Sequence, residues 1–399
     1  MKDFIKNILS SEDMIADCKE NIRFGLQGII LKSLTDVFFE EVENLCGPKH
    51  YPNKSKSGRR SGSSRGKVYF DGQQHDVVRP RVRQGNKEVL LDSYKNAKGS
   101  DQMVADIFRA YSMGVSTREM RHLHPKSSGF SKSNVNRKWV ANSVRYLDEL
   151  RGRDIASHSY LAMMIDGIHL SEELTALIAL GITGEGDKVM LDFTLGGSEN
   201  QSLCSELLLR ISHRGFRFGG TPFFILDGSK ALDQAVRKQY GNALIQRCLV
   251  HKENNLRGYL SRKDYPELSR LMKILRKSQG IKAGREALQN LRKFISQKNQ
   301  LALESLDEAG DDLITLHSLN VPATLNISLL STNCIENTIK NFRRKTARVT
   351  RWRLNSDMPQ RWMAYAMICV EQGFRKIKGY KDINKLKKAL KWREMKAAA

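Results

Sequence analysis

The sequence predicts an α/β fold, and the main evidence is a pair of apolar segments with the same ending. Residues 159–165 are mostly apolar and are followed by Asp166 and a glycine, and residues 221–226 are followed in the same way by Asp227. A short apolar run stopped by glycine is typical of a buried strand. Ligand sites of open α/β sheets lie at the carboxyl ends of strands. We therefore expect both carboxylates at one sheet edge, where a divalent cation would offset their repulsion.

The segments around these two runs complete the predicted sheet. Two further strand patterns are joined by the turn sequence Thr-Gly-Glu-Gly-Asp, and amphipathic helix patterns separate the later strands. The order is strand, strand, strand, helix, strand, helix, strand, which is the order of the ribonuclease-H-like fold. We predict the first part of such a core over residues 158–252. The remaining strands are predicted at residues 174–181, 188–195 and 243–250, and the helices at residues 202–214 and 229–240.

The composition bounds the class of protein. The chain has 399 residues and a formal net charge of +24. A chain this basic binds polyanions, so nucleic acid is the first expected partner and an acidic membrane surface the second. The sequence has no apolar run of about 18 residues and no signal-peptide core, so we expect a soluble, cytoplasmic protein without a membrane partner. Its six cysteines are scattered, which argues against a disulfide framework.

The region before the core is predicted to be mostly helical, with a small β-hairpin element. Residues 1–50 have apolar residues at helical spacing, and residues 51–100 combine a basic linker with alternating, turn-rich segments. The linker, residues 53–67, has six basic residues and no acid, so it is either a flexible arm along a phosphate backbone or a solvated loop. Its DNA-contacting candidates are Arg59 and Arg60. The predicted hairpin turns are Asp71-Gly72 and Gln84-Gly85.

Residues 101–150 resemble a helix-turn-helix. A first helix is predicted to end before Gly114. A second helix can be capped by Ser116 or Thr117, and a third by Ser131 or Ser133. The third helix would face a DNA groove. An ordinary helical hairpin is the alternative. The residues expected to face DNA are Asn134, Asn136, Arg137 and Lys138.

A long helical insertion is predicted at residues 253–328, followed by the second part of the core at residues 329–375 and a basic C-terminal tail at residues 376–399. We expect this tail to be a solvated amphipathic helix. Glu336 is expected near the start of a helix in the second part, with Lys340 and Arg343 on the same helix face. Ser331, Thr332 or Asn333 can cap this helix. A carboxylate beside phosphate-binding cations suits a site that cuts nucleic acid. The basic residues expected to contact DNA here are Lys340, Arg343, Arg344, Lys345 and Arg348.

Four motifs, in order, resemble the bacterial transposases of the Mutator-type superfamily. They are Asp166-Gly167, Phe224-Ile-Leu-Asp-Gly-Ser-Lys230, Arg247-Cys-Leu-Val-His-Lys252 and Thr332-Asn-Cys-Ile-Glu-Asn337. The resemblance runs from about residue 100 to the C-terminus. It implies a DDE transposase in which Asp166, Asp227 and Glu336 hold two Mg²⁺ or Mn²⁺ ions. Cys248 and His251 match the Cys-x₂-His signature of the superfamily, which implies support of the active site or of DNA.

The resemblance also implies an activity and partners. The enzyme would bind the terminal inverted repeats of its own mobile element, nick the DNA ends, and join the freed 3′-hydroxyls to target DNA by two-metal phosphoryl transfer. It implies a homodimer or a larger assembly, working in the bacterial cytoplasm in association with the nucleoid.

Other interpretations of the same residues stay open. Each aspartate alone is also a plausible helix or turn cap, and Glu336 alone is a plausible helix N-terminal acid. Considered without the resemblance, Cys248 is interpreted as a buried core residue, and His251 as a neighbour of a phosphate or a metal. Two other functions compete: a catalytically inactive relative that only binds DNA, and a ribonuclease-H-like nuclease that cuts without joining.

Overall fold

The computed structural model describes residues 2–51, 56, 58–70, 73–123, 130–347 and 349–398. The chain divides into two compact units, residues 1–142 and residues 143–399. Each unit has a hydrophobic core of its own. No helix in these described ranges is long and apolar enough to cross a membrane.

The first unit packs a long N-terminal helix against a three-stranded antiparallel sheet. Phe38 and Val42 of the helix are buried with Val68, Val77 and Val82 of the sheet. The helix confirms the prediction for the first 50 residues. In chain order the elements are α1 (Lys2–Cys46), β1 (Arg59–Phe70), β2 (Gln73–Gln84), β3 (Lys87–Val89) and α2 (Asp92–Ala97). The central strand of the sheet is β2.

The predicted basic linker is largely strand, which corrects the sequence interpretation. Strand β1 begins at Arg59 and pairs with β2, with a register shift between Arg60 and Ser63. Polar residues occupy most of its length because β1 is an edge strand and is held by backbone hydrogen bonds to β2 rather than by burial. The predicted turn at Gln84-Gly85 is present, because Gln84 pairs with Lys87 across it. The Asp71-Gly72 pair lies outside the described residues.

Three helices follow: α3 (Ser100–Ser112), α4 (Met120–Leu123) and α5 (Lys132–Gly152). The predicted caps are present. Ser116 Oγ accepts from the Glu119 backbone N–H at 3.2 Å while the Glu119 carboxylate accepts from the Ser116 N–H at 2.8 Å, which is a capping box. Ser131 Oγ accepts from the Asn134 N–H at 3.4 Å at the start of α5. The helix, turn and cap positions agree with the sequence pattern.

The second unit is built on a five-stranded mixed sheet. Its strand order is β6-β5-β4-β7-β8; the first three strands are antiparallel, and β4, β7 and β8 run parallel. The elements appear in the predicted order of three strands, helix, strand, helix, strand. They are β4 (Tyr160–Ser171), β5 (Leu174–Thr183), β6 (Lys188–Gly196), α6 (Gln201–His213), β7 (Phe223–Leu226), α7 (Lys230–Gln239) and β8 (Leu244–Arg247).

Helices cover both faces of this sheet. Helices α6 and α7 pack on one face, and all later helices contribute to the core on the other. The helical character predicted for residues 253–328 is confirmed. The later helices are α8 (Leu249–Tyr259), α9 (Tyr265–Lys277), α10 (Gly280–Ser296), α11 (Gln300–Ala309), α12 (Thr315–Ser318), α13 (Asn326–Leu329), α14 (Asn333–Thr346), α15 (Met358–Glu371) and α16 (Ile383–Ala398).

Three local predictions for this unit need correction. Gly167 does not stop β4, because antiparallel pairing with β5 continues beyond it to Ser171. Strand β8 ends at Arg247 rather than at residue 250, since α8 begins at Leu249. The C-terminal segment is not a solvated tail: α16 buries Leu386 and Leu390 completely, and the Thr221 N–H donates to the Leu390 carbonyl at 3.2 Å.

Candidate active site

Asp166 and Asp227 lie on neighbouring strands at the point where a parallel ladder ends. The last residues paired between β4 and β7 are Ile165 and Leu226; Asp166 is the next residue of β4, and Asp227 is the first residue after β7. Residues in register on parallel strands point to the same face of a sheet. The structure therefore brings these two predicted residues together at one sheet edge, although β4 itself continues past Asp166.

The hydrogen bonds of the two aspartates indicate whether either residue is needed as a helix cap. Asp166 Oδ1 accepts from the Gly167 N–H at 2.8 Å, and Asp227 Oδ1 accepts from the Ser229 N–H at 3.0 Å. The N-cap of α7 is Ser229, whose hydroxyl accepts from the Leu232 N–H at 3.4 Å. Because Ser229 caps the helix, Asp227 is not needed for that purpose.

Burial and charge perturb the acidity of Asp166. Burial raises the pKa of its carboxyl to about 7, and the negative charge of Asp227 adds to the effect, as does that of Glu336. The Gly167 N–H and the charge of His251 act in the opposite direction. All three predicted acids are therefore close enough to interact electrostatically. Their mutual repulsion is of the kind that a bound divalent cation relieves.

Glu336 reaches the site from the first turn of α14, which meets the start of α8. The Leu249 N–H donates to the Leu330 carbonyl at 2.9 Å and joins the two helix starts. The hydroxyl of Thr332 donates to Glu336 Oε1 at 2.7 Å, and His251 Nδ1 lies 3.8 Å from the same oxygen. Glu336 and His251 are each about one third exposed, so the carboxylate stays accessible from solvent.

Cys248 is both buried and hydrogen-bonded. It is the N-cap residue of α8, and its Sγ accepts from the His251 N–H at 3.4 Å and from the Thr332 N–H at 3.3 Å. Burial raises the pKa of the Cys248 thiol, but hydrogen bonds from His251 and Thr332 outweigh it and leave the pKa below its usual value. The hydrogen bond to Cys248 raises the pKa of His251 to about 9.

Thr332 lies at the centre of this cluster, and sequence reasoning treated it only as a possible helix cap. It is the N-cap residue of α14, but its side chain does not cap the helix. Its hydroxyl is 2.7 Å from Glu336 Oε1, 3.2 Å from His251 Nδ1 and 3.3 Å from Cys248 Sγ. The signal that could have revealed it is a hydroxyl residue four positions, or about one helical turn, before Glu336.

Two sets of possible metal ligands are present, and they differ in chemistry. Asp166, Asp227 and Glu336 offer the oxygen ligands that Mg²⁺ and Mn²⁺ prefer. Cys248, His251 and Glu336 have ligand atoms within 4.8 Å of one another, a set that suits a softer ion such as Zn²⁺. The Thr332 hydroxyl, however, is within hydrogen-bond distance of all three members of the second set and occupies the space between their ligand atoms. An ion bound by the second set would therefore have to displace the Thr332 hydroxyl.

Helix α14 carries a basic face beside Glu336. Its apolar side buries Ile335, Ile339 and Phe342, which turns the opposite side to solvent. The predicted DNA contacts on this helix are thereby mostly accessible: Lys340, Arg343 and Arg344 are exposed and Lys345 is half-buried. Arg348 lies outside the described residues.

The other predicted DNA contacts belong to the first unit. On α5, Asn136 and Arg137 are exposed and Asn134 and Lys138 are half-buried, while Val135 and Trp139 form the buried side. On β1, Arg59 and Arg60 are exposed, and an Arg60 guanidinium N–H donates to the Gly47 carbonyl at 2.7 Å. Arg60 therefore has a structural contact in addition to any role toward DNA.

Replacing Asp166 with asparagine is expected to stabilise the metal-free protein, and increasingly so as the pH rises from about 4 to 7. The folded-state pKa of Asp166 is about 7 and its ordinary value is 3.8, so the folded state loses stability as that carboxyl ionises. Above pH 7 the gain from Asn is on the order of 2–4 kcal/mol. Thermal unfolding in a chelator at several pH values measures it, with Asp187→Asn, at a carboxylate whose side chain is half exposed, as control. A gain that does not change with pH contradicts the prediction.

Clustered carboxylates at a sheet edge beside a basic helix are typical of metal-dependent enzymes that act on phosphodiesters. The sequence profile of the Mutator family of transposases matches residues 6–356 of this chain. The transposase for insertion sequence element IS905 of Lactococcus lactis subsp. lactis is 27% identical over 87% of this chain and 88% of its own length. The transposase for insertion sequence element IS256 in transposon Tn4001 of Staphylococcus aureus is 28% identical over 81% and 86%. The chain belongs to the Mutator family of transposases, as its motifs predicted.

Proposed function

We propose that this protein is a DDE transposase that binds the terminal inverted repeats of its own element, cleaves the DNA ends and joins them to target DNA. Asp166, Asp227 and Glu336 are its catalytic residues and hold two Mg²⁺ or Mn²⁺ ions. The sheet with order β6-β5-β4-β7-β8 is its ribonuclease-H-like core, and the helices from α8 to α13 contain the insertion that separates Asp227 from Glu336.

One observation carries this proposal. Asp166 and Asp227 follow the last paired residues of the β4–β7 ladder, and the charges of Asp227 and Glu336 both act on the pKa of Asp166. These observations support a site in which a residue of β4 and the residue after β7 act together with a helix residue 109 positions further along the chain. A protein that only binds DNA gains nothing from three converging carboxylates, because they repel phosphate.

The roles of the side chains follow from their chemistry. Two bound divalent ions would supply activation of the attacking hydroxyl and stabilisation of the leaving oxygen. The three carboxylates provide hard oxygen ligands for such ions, and Asp166 must be ionised to do so. Lys340 and Arg343, exposed on the same helix as Glu336, attract the phosphodiester backbone. Cys248 and His251 support the site by joining the starts of α8 and α14.

The regions of the first unit are proposed to recognise DNA. Helix α5 presents Asn136 and Arg137 as base or phosphate contacts, and the capping box and the Ser131 cap support a helix-turn-helix arrangement. Arg59 adds positive charge on an edge strand. We further propose that the protein acts as a homodimer or a larger assembly, because transposition joins two ends, and that it works in the bacterial cytoplasm in association with the nucleoid.

The test is a cleavage and strand-transfer assay with Mg²⁺ on DNA that carries the terminal repeats of the element, together with a supercoiled target. The proposal expects nicks at the element ends and joined products that need a free 3′-hydroxyl. Cleavage without joining would replace it with a ribonuclease-H-like nuclease. Binding of the repeats without cleavage in Mg²⁺ or Mn²⁺ would replace it with an inactive DNA-binding relative.

A further inference from the structure

The Thr332 side chain is placed to control the orientation of Glu336. Thr332 is completely buried at the start of α14, one helical turn before Glu336. Its hydroxyl is 2.7 Å from Glu336 Oε1, a distance typical of a strong hydrogen bond to a carboxylate. Glu336 is part exposed, so without such a contact its flexible side chain has several rotamers available.

The neighbours of the hydroxyl determine the direction of this hydrogen bond. A hydroxyl has one proton to donate, and Glu336 Oε1 is the closest of its three acceptors. Cys248 Sγ already accepts from two backbone N–H groups, those of His251 and Thr332. The lone pairs of the hydroxyl then face His251 Nδ1 at 3.2 Å. His251 and Glu336 thus hold its oxygen in place with its proton pointing at the carboxylate, while Cys248 holds the Thr332 backbone N–H.

We propose that Thr332 is a positioning residue for metal binding: its backbone is anchored to Cys248 and its hydroxyl oxygen to His251, and the hydroxyl fixes one oxygen of Glu336 so that the carboxylate is pre-oriented toward Asp166 and Asp227. This inference rests on the proposed function, since it assigns Glu336 to the metal ions. It also gives the Cys-x₂-His pair a physical task, which is to anchor Thr332 from the neighbouring helix.

Substitution of Thr332 separates positioning from packing. Thr332→Val keeps the shape of the side chain and the backbone N–H to Cys248 but removes the hydroxyl. A hydrogen bond to a charged group corresponds to a roughly 10-fold to 100-fold effect on binding. We therefore expect Thr332→Val to need about tenfold more Mn²⁺ for half-saturation, and Thr332→Ser to restore the wild-type value.

Thr338→Val is the matched control. Thr338 is also buried on α14, but its hydroxyl donates within the helix, to the Cys334 carbonyl at 2.9 Å. Thermal unfolding of the metal-free variants measures any general loss of stability. The inference requires the Thr332 variant to lose affinity for Mn²⁺ and the Thr338 variant to keep it.

Two readouts distinguish the failure of this inference from the failure of the proposed function. Titration with Mn²⁺, followed by its electron paramagnetic resonance signal, reports ion binding without any need for activity. Equal Mn²⁺ affinity in wild type and Thr332→Val overturns the positioning role, and so does an equal loss in the Thr332 and Thr338 variants. Wild-type protein that binds Mn²⁺ through Glu336 but does not cleave element ends overturns the proposed function alone.

Discussion

Replacing Asp227 with asparagine is expected to lower the rate of DNA cleavage by about three orders of magnitude or more, which corresponds to about 4 kcal/mol of activation free energy. Asparagine has nearly the same shape and retains an oxygen that can accept from the Ser229 N–H. It removes the negative charge that a divalent ion needs, and it also removes repulsion with Asp166. The fold is therefore preserved while the proposed metal site is lost.

Single-turnover cleavage with Mg²⁺ measures this effect, and a mobility-shift assay in a chelator measures DNA affinity in parallel. Glu206→Gln is the control, because Glu206 is an exposed carboxylate on α6, on the other face of the sheet. We expect that variant to cleave normally and the Asp227 variant to bind DNA normally without cutting it. Near-normal cleavage by Asp227→Asn would remove Asp227 from the catalytic set.

The sequence predicts the central sheet well because its signals are local and strong. Each predicted strand is an apolar run bounded by turn residues, and burial on both faces makes such runs nearly continuous in apolar residues. The relation between Asp166 and Asp227 is predictable for the same reason, since it depends only on where the two runs end. Glu336 is different: its distance along the chain hides the contact, and the motif resemblance was needed to connect it.

The incorrect or incomplete predictions have a common physical cause: contacts with residues distant in sequence determine the local structure. Residues 59–67 have a linker composition and are strand because β2 supplies the hydrogen bonds. The C-terminal segment is rich in lysine, yet α16 docks because Leu386 and Leu390 fit the core. Thr332 looks like one of three possible caps, and only the packing of α8 against the start of α14 assigns its hydroxyl to Glu336.

Neutralising the basic face of α14 is expected to weaken DNA binding by about tenfold and to reduce its salt dependence. Lys340 and Arg343 are exposed beside Glu336, so each can contact a phosphate and release a counterion. Wild-type affinity should fall steeply as salt rises. In Lys340→Gln/Arg343→Gln the slope of log affinity against log salt should decrease by about 2, or roughly 0.9 per lost phosphate contact.

The double variant Lys273→Gln/Lys293→Gln is the control for net charge, because it removes two exposed cations from α9 and α10. If the two double variants lose affinity equally, the effect comes from overall charge and the α14 face has no special role. A wild-type affinity that stays flat from low to physiological salt would contradict the basic-face proposal altogether. A loss confined to the α14 variant, with Mn²⁺ binding unchanged, would separate the binding of the phosphodiester from the binding of the metal on a single helix.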